Sequence, residues 1–324
     1  MAQATEARTA ADLEFGRTLP AALVHKAAVE QVFLTDWMKG PEPDLLCTIA
    51  AELPLAHARF SDAASGYHDL VLLAEVVRQG GLVSAAKVLE VPEDRQFLLR
   101  ELRVAIDPLE RNRRVRECAR LLIEQDASQS AIKMRRGGNL AGGKMHARLK
   151  IDGEPSGVCE VVGLWLPDEM YAGFRGGAGE GNGAGAATDE ADELPQEPEE
   201  RSGKSPQNTV IGTLQPDPGQ SGLRGRLLVA MDDPTFFDHP LDHVPGLLML
   251  EAMQQAAVGV ACREHGVPPR GVAVTSFDVK FSRIAEFSPA AACHATLTDR
   301  ESATVEVTQL GKTCCDGVVG LALL

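Results

Sequence analysis

A chain of 324 residues that is 44% hydrophobic has enough apolar side chains for two ordinary domains, each with a core of its own. Its net charge of −14 argues against a nucleic-acid or anionic-membrane partner, since each calls for a basic surface. No apolar run approaches the roughly 18–20 residues that span a bilayer, and the N-terminus lacks a basic segment followed by an apolar one. The cysteines (Cys47, Cys118, Cys159, Cys262, Cys293, Cys314 and Cys315) form no CxxC pair and are odd in number, which fits a reducing cytoplasm.

In chain order, residues 1–18 are small and polar and are expected to be disordered. A structured unit is expected over 19–170. It contains strands at Val24–Leu34, Phe97–Val104 and Ala147–Ile151. A helix that is apolar almost all round runs over Leu70–Gln79. Residues 171–205 read as a disordered linker. Their first part is rich in glycine, and eight acids lie between Glu180 and Glu200 with no Lys or Arg among them. Such a composition does not bury enough apolar surface to offset its ordering entropy. No Gly-Lys-Ser/Thr follows the glycines at the right spacing, so they are not a phosphate-binding loop. A second unit, 206–324, repeats the pattern with a helix at Gly246–Ala257 and strands at Val272–Val279 and Thr304–Val307.

The two units are copies. A shift of 176 places Glu75 on Glu251, Arg78 on Gln254 and Gln79 on Gln255, and a shift of 175 aligns the strands that follow. The predicted class is therefore α+β, with one long buried helix and antiparallel strands in each copy. A carboxylate on a buried helix is costly unless it is partnered. Glu251 and Gln255 lie one turn apart on one face, as do Glu75 and Gln79. One such pair fits a packing device as well as a functional one. Its occurrence in both copies favours function.

Upstream of the second helix stands Phe237-Asp238-His239-Pro240-Leu241-Asp242-His243-Val244-Pro245-Gly246. The Pro-Gly pair leaves unbonded N–H groups at the helix N-terminus, where they and the helix dipole polarise a carbonyl. His239 and His243 are close enough in sequence to face that carbonyl. A metal held by His239, Asp242 and His243 is the weaker alternative, since no fourth ligand is evident. No Gly-x-Ser-x-Gly elbow is present.

This order of residues resembles the hotdog fold of acyl-carrier-protein dehydratases, in which a loop histidine and a helix acid flank an acyl thioester. It is more similar still to the A-factor biosynthesis (AfsA-type) family of γ-butyrolactone signal synthases. The carriers are Leu23-Val24-His25-Lys26 and Thr35-Asp36-Trp37 in the first copy. In the second copy they are the loop above and Glu251-Ala252-Met253-Gln254-Gln255. The resemblance implies a tandem double hotdog, two long central helices each wrapped by antiparallel sheet. It implies an acyltransferase that moves a β-ketoacyl group from acyl carrier protein to the hydroxyl of dihydroxyacetone phosphate, in the biosynthesis of a γ-butyrolactone, furan or butenolide signal, with no cofactor.

The family usually shows Glu-Ala-x-Arg-Gln in both helices; here Gln254 stands where the second Arg is expected. If that Arg neutralises the substrate phosphate, Arg78, Lys280 or Arg283 must replace it. On this reading Glu251 is the expected general base, with a pKa raised by burial, and Glu75 the alternative. Gly246 supplies the oxyanion hole. Arg78, Gln79, Gln254 and Gln255 line the substrate. His25, Asp36 and Trp37 are expected to be structural. The competing readings are a 3-hydroxyacyl-thioester dehydratase or thioesterase, and an inactive acyl-binding relative.

Overall fold

The computed structural model describes residues 9–40, 46–63, 65–126, 141–176, 203–217 and 221–324. Two long helices, α1 (Leu70–Lys87) and α3 (Gly246–His265), run through the interior. Each is apolar on every face and so has no side suited to water. The buried polar exceptions are Glu75, Gln79, Ser84, Glu251, Gln254 and Gln255; Arg78 is half-buried, and the remaining polar residues stand at the helix ends. Asp69 caps α1 by accepting the Val71 N–H at 2.9 Å. Gly266, at φ 66°, ends α3 in the left-handed conformation that glycine adopts without strain. A shorter helix, α2 (Asp168–Gly176), follows the first copy.

The strands are β1 (Leu34–Lys39), β2 (Leu46–Leu53), β3 (Arg95–Ile106), β4 (Ala119–Asp126), β5 (Gly142–Ile151) and β6 (Glu154–Pro167) in the first copy. The second copy supplies β7 (Gln215–Pro216), β8 (Leu223–Arg226), β9 (Val272–Phe281), β10 (Ala292–Leu297), β11 (Ser302–Gln309) and β12 (Lys312–Leu323). They form one antiparallel sheet in the order β1-β2-β4-β5-β6-β3-β9-β12-β11-β10-β8-β7. The second half of that order mirrors the first, so the sheet is the predicted double hotdog.

The seam is β3 against β9, with Glu101 opposite Lys280 and Ala105 opposite Ser276. Arg103 and Asp278 are equivalent under the shift of 175, and they are also opposite one another, joined by an ion pair. The axis relating the copies therefore passes between them. Each helix packs on the strands of its own copy, and the two helices meet near that axis.

Three expectations are corrected. Val24–Leu34 is not a strand. It consists of short 3-10 turns at Ala21–Val24 and Val29–Gln31, with His25 left-handed between them at φ 53°, and β1 begins only at Leu34. This segment is bound by a side chain rather than a ladder: Gln79 Nε2 donates to the Gln31 carbonyl at 2.7 Å, and Gln79 Oε1 accepts the Phe33 N–H at 3.1 Å.

The N-terminal boundary at residue 18 is too late, because Leu13 is buried and the Glu14 N–H bonds Asp36 at 2.9 Å. The interval 171–205 is also too wide. Its first six residues continue α2, and Lys204 is buried. Residues 1–8 and 177–202, the rest of those two disorder assignments, lie outside the described residues. Among the described residues no helix is long and apolar enough to cross a membrane.

Candidate active site

The double hotdog builds two equivalent places where the helix of one copy faces the loop of the other. At the first, α1 brings Glu75 and Arg78 against residues 235–247 of the second copy, around a cavity of about 660 Å³. Its wall includes His25, Lys26, Glu75, Arg78, His239, His243, Gly246 and Arg283, with Phe97, Leu98, Leu99 and Phe281 on the apolar side.

Arg78 grips Glu75 bidentately, Nε to Oε2 at 2.7 Å and Nη2 to Oε1 at 2.8 Å. Gln79 donates to the same carboxylate at 2.8 Å, and Lys26 Nζ lies 3.5 Å from it. Burial alone raises the Glu75 carboxyl, but the Arg78 and Lys26 charges and these hydrogen bonds override it and hold its pKa at about 2. Glu75 is thus an anion already saturated with donors, a poor proton acceptor.

Folded Glu75 binds its proton less tightly than the unfolded side chain of pKa 4.5. Its contribution is complete above that pH and is lost as the pH falls toward 2. Denaturant midpoints measured across that window should show Glu75→Gln losing up to about 3 kcal/mol of the acid-dependent stability of the parent.

A histidine sits across the cavity. His239 Nδ1 bonds Asp238 Oδ1 at 2.7 Å, leaving Nε2 to the cavity. Asp238 Oδ2 accepts the Ala27 and Ala28 N–H groups at 2.8 and 3.3 Å, which fastens this loop to the His25-Lys26 segment. Burial raises the Asp238 carboxyl; the Lys26 charge, those N–H groups and His239 reverse the shift and keep it below the usual carboxylate range. His25 faces the same cavity and is held below the usual histidine range by burial, then by Arg78 and His239.

At the α3 N-terminus the cap is Pro245, which makes no side-chain cap bond. The first intrahelical donors are Leu248 and Met249, both to the Pro245 carbonyl. The N–H groups of Gly246 and Leu247 are therefore available where both residues line the cavity. His243 is directed differently. Its Nδ1 bonds Asp242 at 2.6 Å, and Tyr171 of α2 reaches both residues, at 3.1 and 3.2 Å from the Asp242 carboxylate and 3.4 Å from His243.

The second place is closed. Glu251 is fully buried, with Oε1 2.6 Å from Gln255, 3.6 Å from Lys204 and 4.0 Å from Arg59. Lys204 pairs with Asp69, and Arg59 pairs with Asp233 while lying 4.5 Å over the Phe236 ring. Gln254 donates to Asp69 at 2.9 Å. The pocket against Asp69, Lys204 and Gln254 is only about 40 Å³, little more than one water occupies, and Glu251 does not line it. Burial raises the Glu251 carboxyl, with the Asp69 charge adding to it against Lys204 and Arg59.

The expected pairing of Glu251 with the Gly246 N–H groups is therefore not what the structure holds. Gly246 shares its cavity with Glu75, from the other copy. The cations beside Glu251 come from Arg59 and Lys204, so the place of the expected second Arg is taken by the neutral Gln254. Gln255, like Gln79, is a clamp on backbone, bonding Asn208 O at 2.9 Å and Val210 N at 3.0 Å. Lys280 is exposed on β9 and does not line the cavity, whereas Arg283 does.

Sequence reading quoted Lys26 and Asp238 only as part of the family pattern, without a role, and missed Arg59, Asp69 and Lys204. Asp62 and Asp238 were detectable, because they stand 176 apart, the spacing of the two glutamates, and each accepts backbone N–H groups from the segment beside the opposite helix. A larger groove, about 1140 Å³, runs from Asp62 and Lys204 on the outer side of this second place to Cys262, Arg263 and Arg270 near the end of α3, and no histidine lines it. Burial pushes the Cys47, Cys159 and Cys262 thiols up to about 11, 12 and 11, far from a reactive thiolate. Among the described residues no three His, Cys, Asp or Glu side chains are grouped to hold a metal.

The model of the A-factor biosynthesis hotdog domain matches residues 7–161 and 197–319. A 2-oxo-3-(phosphooxy)propyl 3-oxoalkanoate synthase of Streptomyces virginiae is 30% identical over 83% of this chain and 84% of that protein. The protein of the same name from Streptomyces coelicolor is 28% identical over 90% and 86%. Among solved structures, the 12:0-ACP thioesterase from Umbellularia californica shares 14% identity at a TM-score of 0.48, covering 88% of this chain and 100% of that one, a likeness too remote to weigh. With most of both copies matched, the chain belongs to the A-factor biosynthesis hotdog family.

Proposed function

We propose that this chain is an acyltransferase that joins a 3-oxoacyl group, carried as a thioester on acyl carrier protein, to the hydroxyl of dihydroxyacetone phosphate. The product is a 2-oxo-3-(phosphooxy)propyl 3-oxoalkanoate, the compound in its relatives' names and a precursor of butyrolactone-type signals. On this reading the reaction is cytoplasmic, where a carrier-bound acyl group and a triose phosphate would meet. The observation that carries this reading is the convergence, in one cavity, of the His239–Asp238 pair, the free N–H groups of Gly246 and Leu247, and the Glu75–Arg78 pair.

The chemistry follows from those positions. His239 Nε2 takes the proton of the triose hydroxyl while Asp238 holds the ring by its Nδ1–H. The oxygen attacks the thioester carbonyl, and the resulting oxyanion receives the Gly246 and Leu247 N–H groups at the positive end of a long helix. The C–S bond then breaks, and the imidazolium returns its proton to the departing thiolate. Glu75 serves as a positioning residue. It holds Arg78 and Lys26 in the wall, and its low pKa keeps it from competing for the proton. The division assigns the base to His239 in place of either glutamate and the active site to the junction of α1 with the second copy's loop.

Mass spectrometry of a 3-oxoacyl-(acyl carrier protein) incubated with dihydroxyacetone phosphate tests the reaction. A phosphorylated ester is expected. Free acid, or an enoyl product from a 3-hydroxyacyl thioester, with no ester at any chain length, would replace this reading by a hydrolase or dehydratase.

A further inference from the structure

A phosphate ester entering this cavity needs a cation whose charge is not already spent. Three cations line the wall: Lys26, Arg78 and Arg283. Arg78 is committed to Glu75 through two hydrogen bonds. Lys26 lies 3.5 Å from the same carboxylate and 3.4 Å from the Thr235 carbonyl. Arg283 makes no side-chain hydrogen bond or ion pair among the described residues.

The acids near Arg283 are occupied by a different arginine. Arg175 of α2 binds Glu286 at 2.6 and 3.1 Å and also reaches Asp242, at 3.2 Å to its carboxylate and 3.0 Å to its carbonyl. Asp242 is further engaged by His243 and Tyr171. Neither carboxylate is left to neutralise Arg283.

Its backbone is also fixed. The Ser282 and Arg283 N–H groups both bond the Cys314 carbonyl, at 2.8 and 3.1 Å, and the Val244 N–H bonds Ala285 at 2.9 Å, tying this turn to the His239–Gly246 loop. A planar guanidinium presented from a pinned turn suits bidentate recognition of a phosphate.

We propose that Arg283 is the phosphate-recognition residue of this site, an inference that rests on the acyltransferase reading above. The shared chemistry is a phosphate ester, and two substrates bring one: the triose phosphate and the phosphopantetheine arm of the carrier.

Arg283 is exposed, so Arg283→Gln keeps the fold. Turnover is measured with dihydroxyacetone phosphate against unphosphorylated dihydroxyacetone, and with acyl-phosphopantetheine against acyl-pantetheine. Binding of dihydroxyacetone phosphate alone is followed by calorimetry. The expected result is a KM raised about 10- to 100-fold for one phosphorylated substrate, the size of a lost charge-assisted hydrogen bond, with kcat and the unphosphorylated partner little changed. A rise confined to the triose identifies its phosphate as the ligand, and a rise confined to the thioester identifies the carrier arm. Equal behaviour of Arg283→Gln and parent toward all four compounds would overturn the proposal. If the parent forms no ester but Arg283→Gln still weakens triose phosphate binding, the acyltransferase reading falls and the role of Arg283 stands.

Discussion

Replacing His239 with glutamine is expected to lower kcat by about 10²- to 10⁴-fold, the range that a positioned general base supplies, with little change in KM. Replacing Glu251 with glutamine, acid for amide, should leave kcat per folded molecule within a few fold. The difference lies in what each residue faces. His239 lines a cavity of about 660 Å³, while Glu251 is fully buried and does not line that cavity. Asp238→Asn should fall between the two, because it leaves the imidazole in place but unsettles the tautomer that frees Nε2. Steady-state rates of the three variants, normalised to folded protein by circular dichroism, check the order. A Glu251→Gln variant as impaired as His239→Gln would return the chemistry to the second copy.

Much of this was legible in the residues. Both central helices announce themselves because an all-round apolar pattern has no use at a surface, and Glu75 and Glu251 stand out because they break that pattern at the same place twice. The loop before α3 was legible through Pro245-Gly246. What was hidden is the partnership. Glu251 is close to Gly246 in sequence, yet Gly246 shares its cavity with Glu75, some 170 residues away, because the axis through Arg103 and Asp278 sets each helix against the other copy's loop.

Such pairing across a duplication has no local signature. The segment Val24–Leu34 misled for a related reason. Its β-branched and apolar residues resemble a strand, but Gln79 takes the hydrogen bonds that a ladder would have made. Lys204 was hidden by its neighbours, since it stands beside an acidic, glycine-rich stretch whose composition drowns a single buried lysine.

That lysine carries the largest expected effect on stability. Lys204 is the cation between Asp69 and Glu251, and all three are buried. Lys204→Met preserves most of the side-chain volume but leaves two carboxylates facing one another with only Arg59 near, and Arg59 is already held by Asp233 and the Asn208 carbonyl. Removing one partner of a buried ion pair costs about 3–5 kcal/mol, because the remaining charge is neither hydrated nor compensated. Urea denaturation should show that loss at neutral pH.

The pH dependence gives a second check. Burial and the Asp69 charge raise the Glu251 carboxyl even in the parent, and without Lys204 the upward shift grows. A folded state that holds its proton more tightly than the unfolded chain is favoured at low pH and loses stability as the pH climbs past the unfolded carboxylate value. The deficit of Lys204→Met should therefore shrink on acidification, opposite in sign to the effect of Glu75, whose pKa is depressed. Adding Glu251→Gln to Lys204→Met should recover part of the loss at neutral pH and flatten the pH dependence. If the double variant were no more stable than the single one, the cost would lie in packing, and the ionic account of the closed site would be wrong.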